Sequence, residues 1–211
     1  MAKSEQTAEP SPENNGGEIE VTGQNVNNLQ ATTVTVRYGS AGDIKAENVH
    51  ISQAGAAAVE GNHVELRQAG AQSVVGNQVD VRQGAVVQVQ AENVSMTQGA
   101  LVFAETGQAD LTASNVGAIV ASGTGDVNLD QCVARAVITR GDVTMDQSGS
   151  GVIIGRNITT GGDNSGTILM LAGRVNGNVN AVFGPASSAA FGASFALVIA
   201  LILWVRRRLA G

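Results

Sequence analysis

Apolar residues recur along this chain as apolar-x-apolar pairs set fifteen residues apart. Ile19 and Val21, Val34 and Val36, Val49 and Ile51, Val64 and Leu66, Val79 and Val81, Val94 and Met96, and Ala109 and Leu111 follow one another in unbroken steps. The pair returns at Val127 and Leu129, at Val143 and Met145, and at Ile158 with Thr160. That phase requires three inserted residues, placed at about Ser114 to Val116, and one more near Cys132. Within each unit polar and apolar residues alternate, as in Val64-Glu65-Leu66-Arg67, which is the period of a strand. The branched aliphatic side chains at the inward positions suit a pleated sheet. A second strand per unit is predicted at 56–59, 71–74, 86–89 and 101–104. The spacing fits neither a heptad nor the roughly 33- to 47-residue repeats of helical solenoids.

A single unit is too small to enclose a core, so the units must stack, each strand pairing in parallel with its copy one coil away. The predicted fold is all-β: a parallel β-solenoid of about ten coils of about fifteen residues, followed by one C-terminal transmembrane α-helix. At about 4.8 Å per coil such a rod is roughly 45 Å long.

Two more columns follow from the stacking. Gln53, Gln68, Gln83, Gln98, Gln131 and Gln147 each sit two residues after the second apolar position, so neighbouring side-chain amides can donate to and accept from one another as a ladder. Gly or Asn precedes the apolar pair, as at Asn48, Gly61-Asn62, Gly76-Asn77, Asn93 and Gly107. These residues tolerate positive φ, and a tight corner is predicted there.

The flanks differ from the rod. Residues 1–18 are polar, with Pro10 and Pro12 and few bulky apolar side chains, and are expected to form a disordered tail without a secretory signal. The rod is expected over 19–183. Its last part, from about 159, departs from the repeat and is assigned to closing coils. Residues 184–211 form the expected anchor: 186–205 carry no charge and include Phe191, Phe195, Leu197, Ile199, Leu201, Ile202, Leu203 and Trp204. Twenty residues at about 1.5 Å rise match a bilayer core of about 30 Å. Trp204 with Arg206, Arg207 and Arg208 stands where an interfacial anchor belongs. The arginines favour the cytoplasm by the positive-inside rule, which would put the rod outside. The lack of an export signal favours the opposite arrangement, a rod on the cytoplasmic face of the cell membrane. The second placement is preferred, and the exported orientation is its alternative.

Net charge is −6, and without the C-terminal arginine triplet nine Lys and Arg face 18 Asp and Glu. An acidic surface with one Trp and one Tyr in the chain repels phosphate backbones and offers no stacking platform, so no nucleic-acid partner is expected. The single Cys132 excludes an internal disulfide and fits a core position. His50 and His63 fall in different columns with no metal-ligand spacing. Glu65, Asp80 and Asp110 share one outward column, interrupted by His50 and Ser95. No phosphate loop, nucleophile elbow or zinc-protease motif occurs, and the short coils leave no room for a polysaccharide cleft. Neither catalysis nor a cofactor nor a metal is expected.

A polar tail, a narrow hydrophobic β-helix without catalytic loops, and membrane attachment together resemble bactofilins, the polymer-forming bacterial cytoskeletal proteins. The segments NHVELRQAGAQSVVGNQVDVRQGA, LAGRVNGNVN and ALVIALILWVRRR are also similar to bacterial membrane-anchored β-solenoid proteins in repeat style. The resemblance spans about Ile19 to Arg208. It implies a scaffold that associates with itself and touches the lipid bilayer. Bactofilins attach through their N-terminal side, whereas the apolar segment here is C-terminal. A second reading is an exported envelope or surface module that binds an extracellular or cell-wall partner along a face of the rod.

Overall fold

The computed structural model describes residues 17–123, 125–161, 165–177 and 180–183. Residues 1–16 of the expected tail and the expected anchor, from Phe191 to Arg208, lie outside the described residues, while Glu18, expected in the tail, opens the first strand. Among the described residues no helix is long and apolar enough to cross a membrane.

The described chain is a parallel β-solenoid of about ten turns. A short first strand, β1 (Glu18–Thr22), is followed by six strands of one length: β2 (Asn25–Arg37), β3 (Ser40–Ser52), β4 (Gly55–Arg67), β5 (Gly70–Arg82), β6 (Ala85–Thr97) and β7 (Ala100–Thr112). Two turns are then split into β8 (Asn115–Ala121) with β9 (Val127–Asp130), and β10 (Val133–Thr139) with β11 (Asp142–Asp146). The stack continues through β12 (Gly149–Gly161), β13 (Gly166–Asn176) and β14 (Asn180–Phe183), so the segment assigned to closing coils keeps the parallel pairing.

Where two strands per unit were expected, each regular coil is one strand of 13 residues bent twice. Between β5 and β6 the register runs Ala71↔Val86, Ser73↔Gln88, Gly76↔Ala91 and Gln78↔Asn93, and skips Gln72 and Asn77. Those two bends and the corner at Gln83 divide the coil into three sides. The buried positions follow: Ala69 and Ala71, then Val74, then Val79 and Val81. Only the last pair is large on both positions, which is why it dominates the sequence pattern. The other sides combine one aliphatic residue with Ala, Gly, Ser or Cys, which a search for paired hydrophobics passes over.

Two expectations need correction. The three-residue insertion is not at Ser114 to Val116, because β7 and β8 stay in fifteen-residue register, with Leu101 opposite Val116. It lies between Ala121 and Val127, where the offset grows to eighteen, Ala109 pairing with Val127. Burial of Val116 beneath Leu101 holds that part of the coil in phase and pushes the extra residues into the next bend. The additional residue expected near Cys132 likewise falls between Thr139 and Val143, as Thr139 pairs with Ala121 and Val143 with Val127.

The second correction concerns the corner. Positive φ belongs to the glutamine column, at Gln53, Gln68, Gln83, Gln98, Gln131 and Gln147, with Tyr38 and Ala113 at the same corner. Gly61 and Gly76 serve another purpose. A Cβ there would come within 2.6 and 2.5 Å of the carbonyl oxygens of Ala46 and Gly61, so glycine lets successive coils approach at that bend.

Candidate functional site

The chemistry of the described surface lies in what the coils repeat. The glutamine edge is the most regular feature. At each corner the backbone N–H of the glutamine donates to a carbonyl of the next coil: Gln53 to Arg67, Gln68 to Arg82 and Gln83 to Thr97, all at 2.9 Å. Forcing a non-glycine residue into the left-handed region costs on the order of 1–2 kcal/mol, and this bond offsets part of that. The side chains then link up. Gln53 Nε2 donates to Gln68 Oε1 at 2.8 Å, Gln68 to Gln83 at 3.1 Å and Gln83 to Gln98 at 3.1 Å. Ala113 occupies the next rung and ends the chain of amides. Gln131 and Gln147 share the backbone conformation beyond that break, with φ of 53° and 46°.

Gln68 therefore has two separable roles. Gln68→Ala keeps the backbone strain and removes two exposed amide bonds, each worth roughly 0.5–1.5 kcal/mol at most. Gln68→Gly removes the same bonds and relieves the strain. Thermal unfolding is expected to rank wild type first, glycine second and alanine third, the variants differing by about 1 kcal/mol. Equal melting of the two variants would show that the corner carries no strain.

The titratable groups form small cross-coil pairs. His50 and Glu65, neighbours in one column, approach to 3.1 Å between Nδ1 and Oε2. Arg67 Nε donates to the other Glu65 oxygen at 2.6 Å. Partial burial alone would raise the Glu65 carboxyl; the bonds from Arg67 and His50 outweigh it and hold the group below the ordinary carboxylate range. Metal-ligand spacing leaves His50 without a partner, whereas the fifteen-residue step stacks it on Glu65. The depression around them, lined by Thr35, Arg37, Tyr38, Ser52 and Arg67, is an open surface hollow. The other acids of the column are also engaged: Asp80 accepts from Gln78 and Asp110 from Asn128.

A depressed folded-state value means the unfolded chain binds more protons in that range, so stability rises with pH. Glu65 contributes fully above the usual carboxylate pKa, and its contribution fades as pH falls through its lower folded value. Glu65→Gln is therefore expected to flatten the loss of stability below about pH 4.5, measured by urea unfolding across that window. An unchanged acid limb would remove Glu65 from the account.

Cys132 is buried in the small-residue column that also holds Ala69, Ser114 and Ser148. Its Sγ donates to the carbonyls of Asp130 and Leu111, both at 3.2 Å, and burial pushes the thiol pKa up. A protonated, enclosed thiol is a poor nucleophile. Among the described residues no group of three or more His, Cys, Asp and Glu is placed to hold a metal ion.

The N-terminal end differs from the sides. Among the described residues β1 pairs only with β2, so one edge of β1 and the start of β2, Asn25 to Ala31, present unpaired backbone. Compared with protein-family profiles, curated proteins and solved structures, the chain returns no match.

Proposed function

We propose that this chain is a membrane-anchored scaffolding rod without catalytic activity, which associates with itself through its N-terminal edge. The observation that carries the reading is the open first rung. An unpaired parallel strand is a template for another strand, and nothing in the described coils covers it. Two copies meeting there around a two-fold axis pair antiparallel, each using the same residues. The sides of the rod support the reading by contrast, since the inward columns are filled and outward amides such as those of Gln53, Gln68 and Asn77 bond to an adjacent coil. The anchor is the uncharged segment 186–205, and the rod is assigned to the cytoplasmic face. The bactofilin resemblance belongs to this same proposal.

Glu18 and Glu20 are exposed on the edge strand and supply the test. Self-association brings these carboxylates of two copies together, a repulsion that salt relieves. A Glu18→Lys, Glu20→Lys variant is expected to form mixed assemblies with wild type in preference to either chain alone, read by native mass spectrometry in detergent. Absence of mixed species at any ratio would place the contact elsewhere.

A further inference from the structure

One outward side of the rod changes character toward its C-terminal end. In β3 to β6 its outward residues are mostly polar, Asp43 and Lys45, Glu60, Ser73, Gln88 and Gln90, with Ala58 and Val75 among them. One column becomes apolar from β7 onward, with Phe103, Ala118, Ala136, Val152 and Leu169; the next holds Glu105 in β7 and becomes apolar from β8, with Val120, Ile138, Ile154 and Leu171. Phe103 is 36% exposed, Ile138 42% and Leu171 53%. A contiguous apolar strip rimmed by polar residues marks an interaction surface more often than scattered apolar side chains do.

We infer that this apolar side lies on the surface of an anionic lipid bilayer, with the rod axis along the membrane. Three observations select lipid as the occupant. First, the chain reaches Phe183 in the register of the same column, opposite Leu169. The uncharged segment 186–205 begins three residues later, so the inference rests on the reading of that segment as a membrane anchor. Second, the arginines of these turns flank the apolar side. Arg135 occupies its first bend, between Ala134 and Ala136, while Arg140 and Arg156 follow Thr139 and Gly155 at the other bend; all three are exposed. Of the acids of these turns, Glu105 stands at the β7 edge of the strip, and Asp110, Asp130 and Asp142 lie on the next side of the rod or its corners. An apolar strip edged by cations is the pattern of a surface that seats among phosphate headgroups, each basic residue adding about 1 kcal/mol on anionic lipid. Third, the strip is small. Five rungs at about 4.8 Å and a side about 13 Å wide give roughly 300 Å², well short of the ~800 Å² per partner of a stable protein interface. A second copy would need more surface than the strip provides.

The test uses the full chain reconstituted in vesicles of phosphatidylcholine alone or of equimolar phosphatidylcholine and phosphatidylserine. A nitroxide is placed at Ile138→Cys on the apolar side or at Thr144→Cys on the acidic side. Both carry Cys132→Ser, a residue the same column accepts at Ser114 and Ser148. Flotation on a density gradient reports the anchor, and the relaxation of the label by oxygen or by a water-soluble nickel chelate reports the side. The expected result is flotation of both proteins, with an oxygen-to-nickel ratio several-fold higher at Ile138 than at Thr144 in the anionic vesicles. Arg135→Glu with Arg140→Glu is expected to bring that ratio back toward the Thr144 value. Equal, water-like ratios at both sites in floated protein would overturn the inference and leave the anchor standing. Protein that stays at the bottom of the gradient would overturn the anchor and the inference together. A label at Ile138 reached by neither reagent would overturn it too: dipolar broadening that dilution with unlabelled chain removes would assign the strip to a second copy, and its absence to the chain's own apolar segment.

Discussion

Replacing Val79 with aspartate is expected to break the rod near its middle. Val79 is fully buried and stacks between Val64 and Val94 in the large apolar column. The substitution forfeits about 1.5–3 kcal/mol of apolar burial and puts a carboxylate where no partner exists, at a further cost of several kcal/mol. Together these approach the whole stability of a typical domain, about 5–15 kcal/mol. Stability in a solenoid is a chain of nearest-neighbour couplings, so the coils on either side lose a partner as well. Circular dichroism should show loss of most β signal, or two separate melting steps, at temperatures where wild type is intact. Gln88→Asp, exposed one coil further on, is expected to change stability by no more than about 0.5 kcal/mol. Cooperative wild-type melting of Val79→Asp would contradict the buried-column account.

Deleting residues 186–211 is expected to have the other large effect. The uncharged segment is long enough to span a bilayer, and its removal should convert the chain from resistant to alkaline carbonate into fully extractable protein. The apolar side inferred to meet lipid would leave weak binding that salt releases, since it depends on arginine and anionic headgroups. Retention of the truncated chain in carbonate-washed membranes would mean that the anchor is not this segment.

Much of the fold was legible because each coil repeats one pair of large aliphatic residues. The step from Val49 and Ile51 to Val64 and Leu66 gives strand, direction and stacking at once, and the glutamines stand in a column that the same step defines. What stayed hidden depends on small or irregular groups. Ala69 and Ala71 form a whole side of the coil, yet alanine and glycine carry little hydrophobic signal. The insertion after Ala121 is misplaced by the sequence pattern, because aligning Ala109 with Val127 gives its length and not its position along the coil. The positive φ of the glutamine corner was assigned to glycine and asparagine on propensity, and the stacking geometry overrode that preference. The pairing of His50 with Glu65 and the apolar side from Phe103 to Leu171 both needed outward columns, which come into view once the three bends of the coil are known.

Self-association of the rod is the central claim, and the mass of the detergent-solubilised full chain against concentration tests it most directly. Light scattering after size-exclusion chromatography, with electron microscopy of the same fractions, would follow the mass as concentration and salt rise. The account expects a dimer whose share grows with both and whose mass levels off at twice that of the chain. A monomer of constant mass up to the highest concentration, in low and high salt alike, would contradict it.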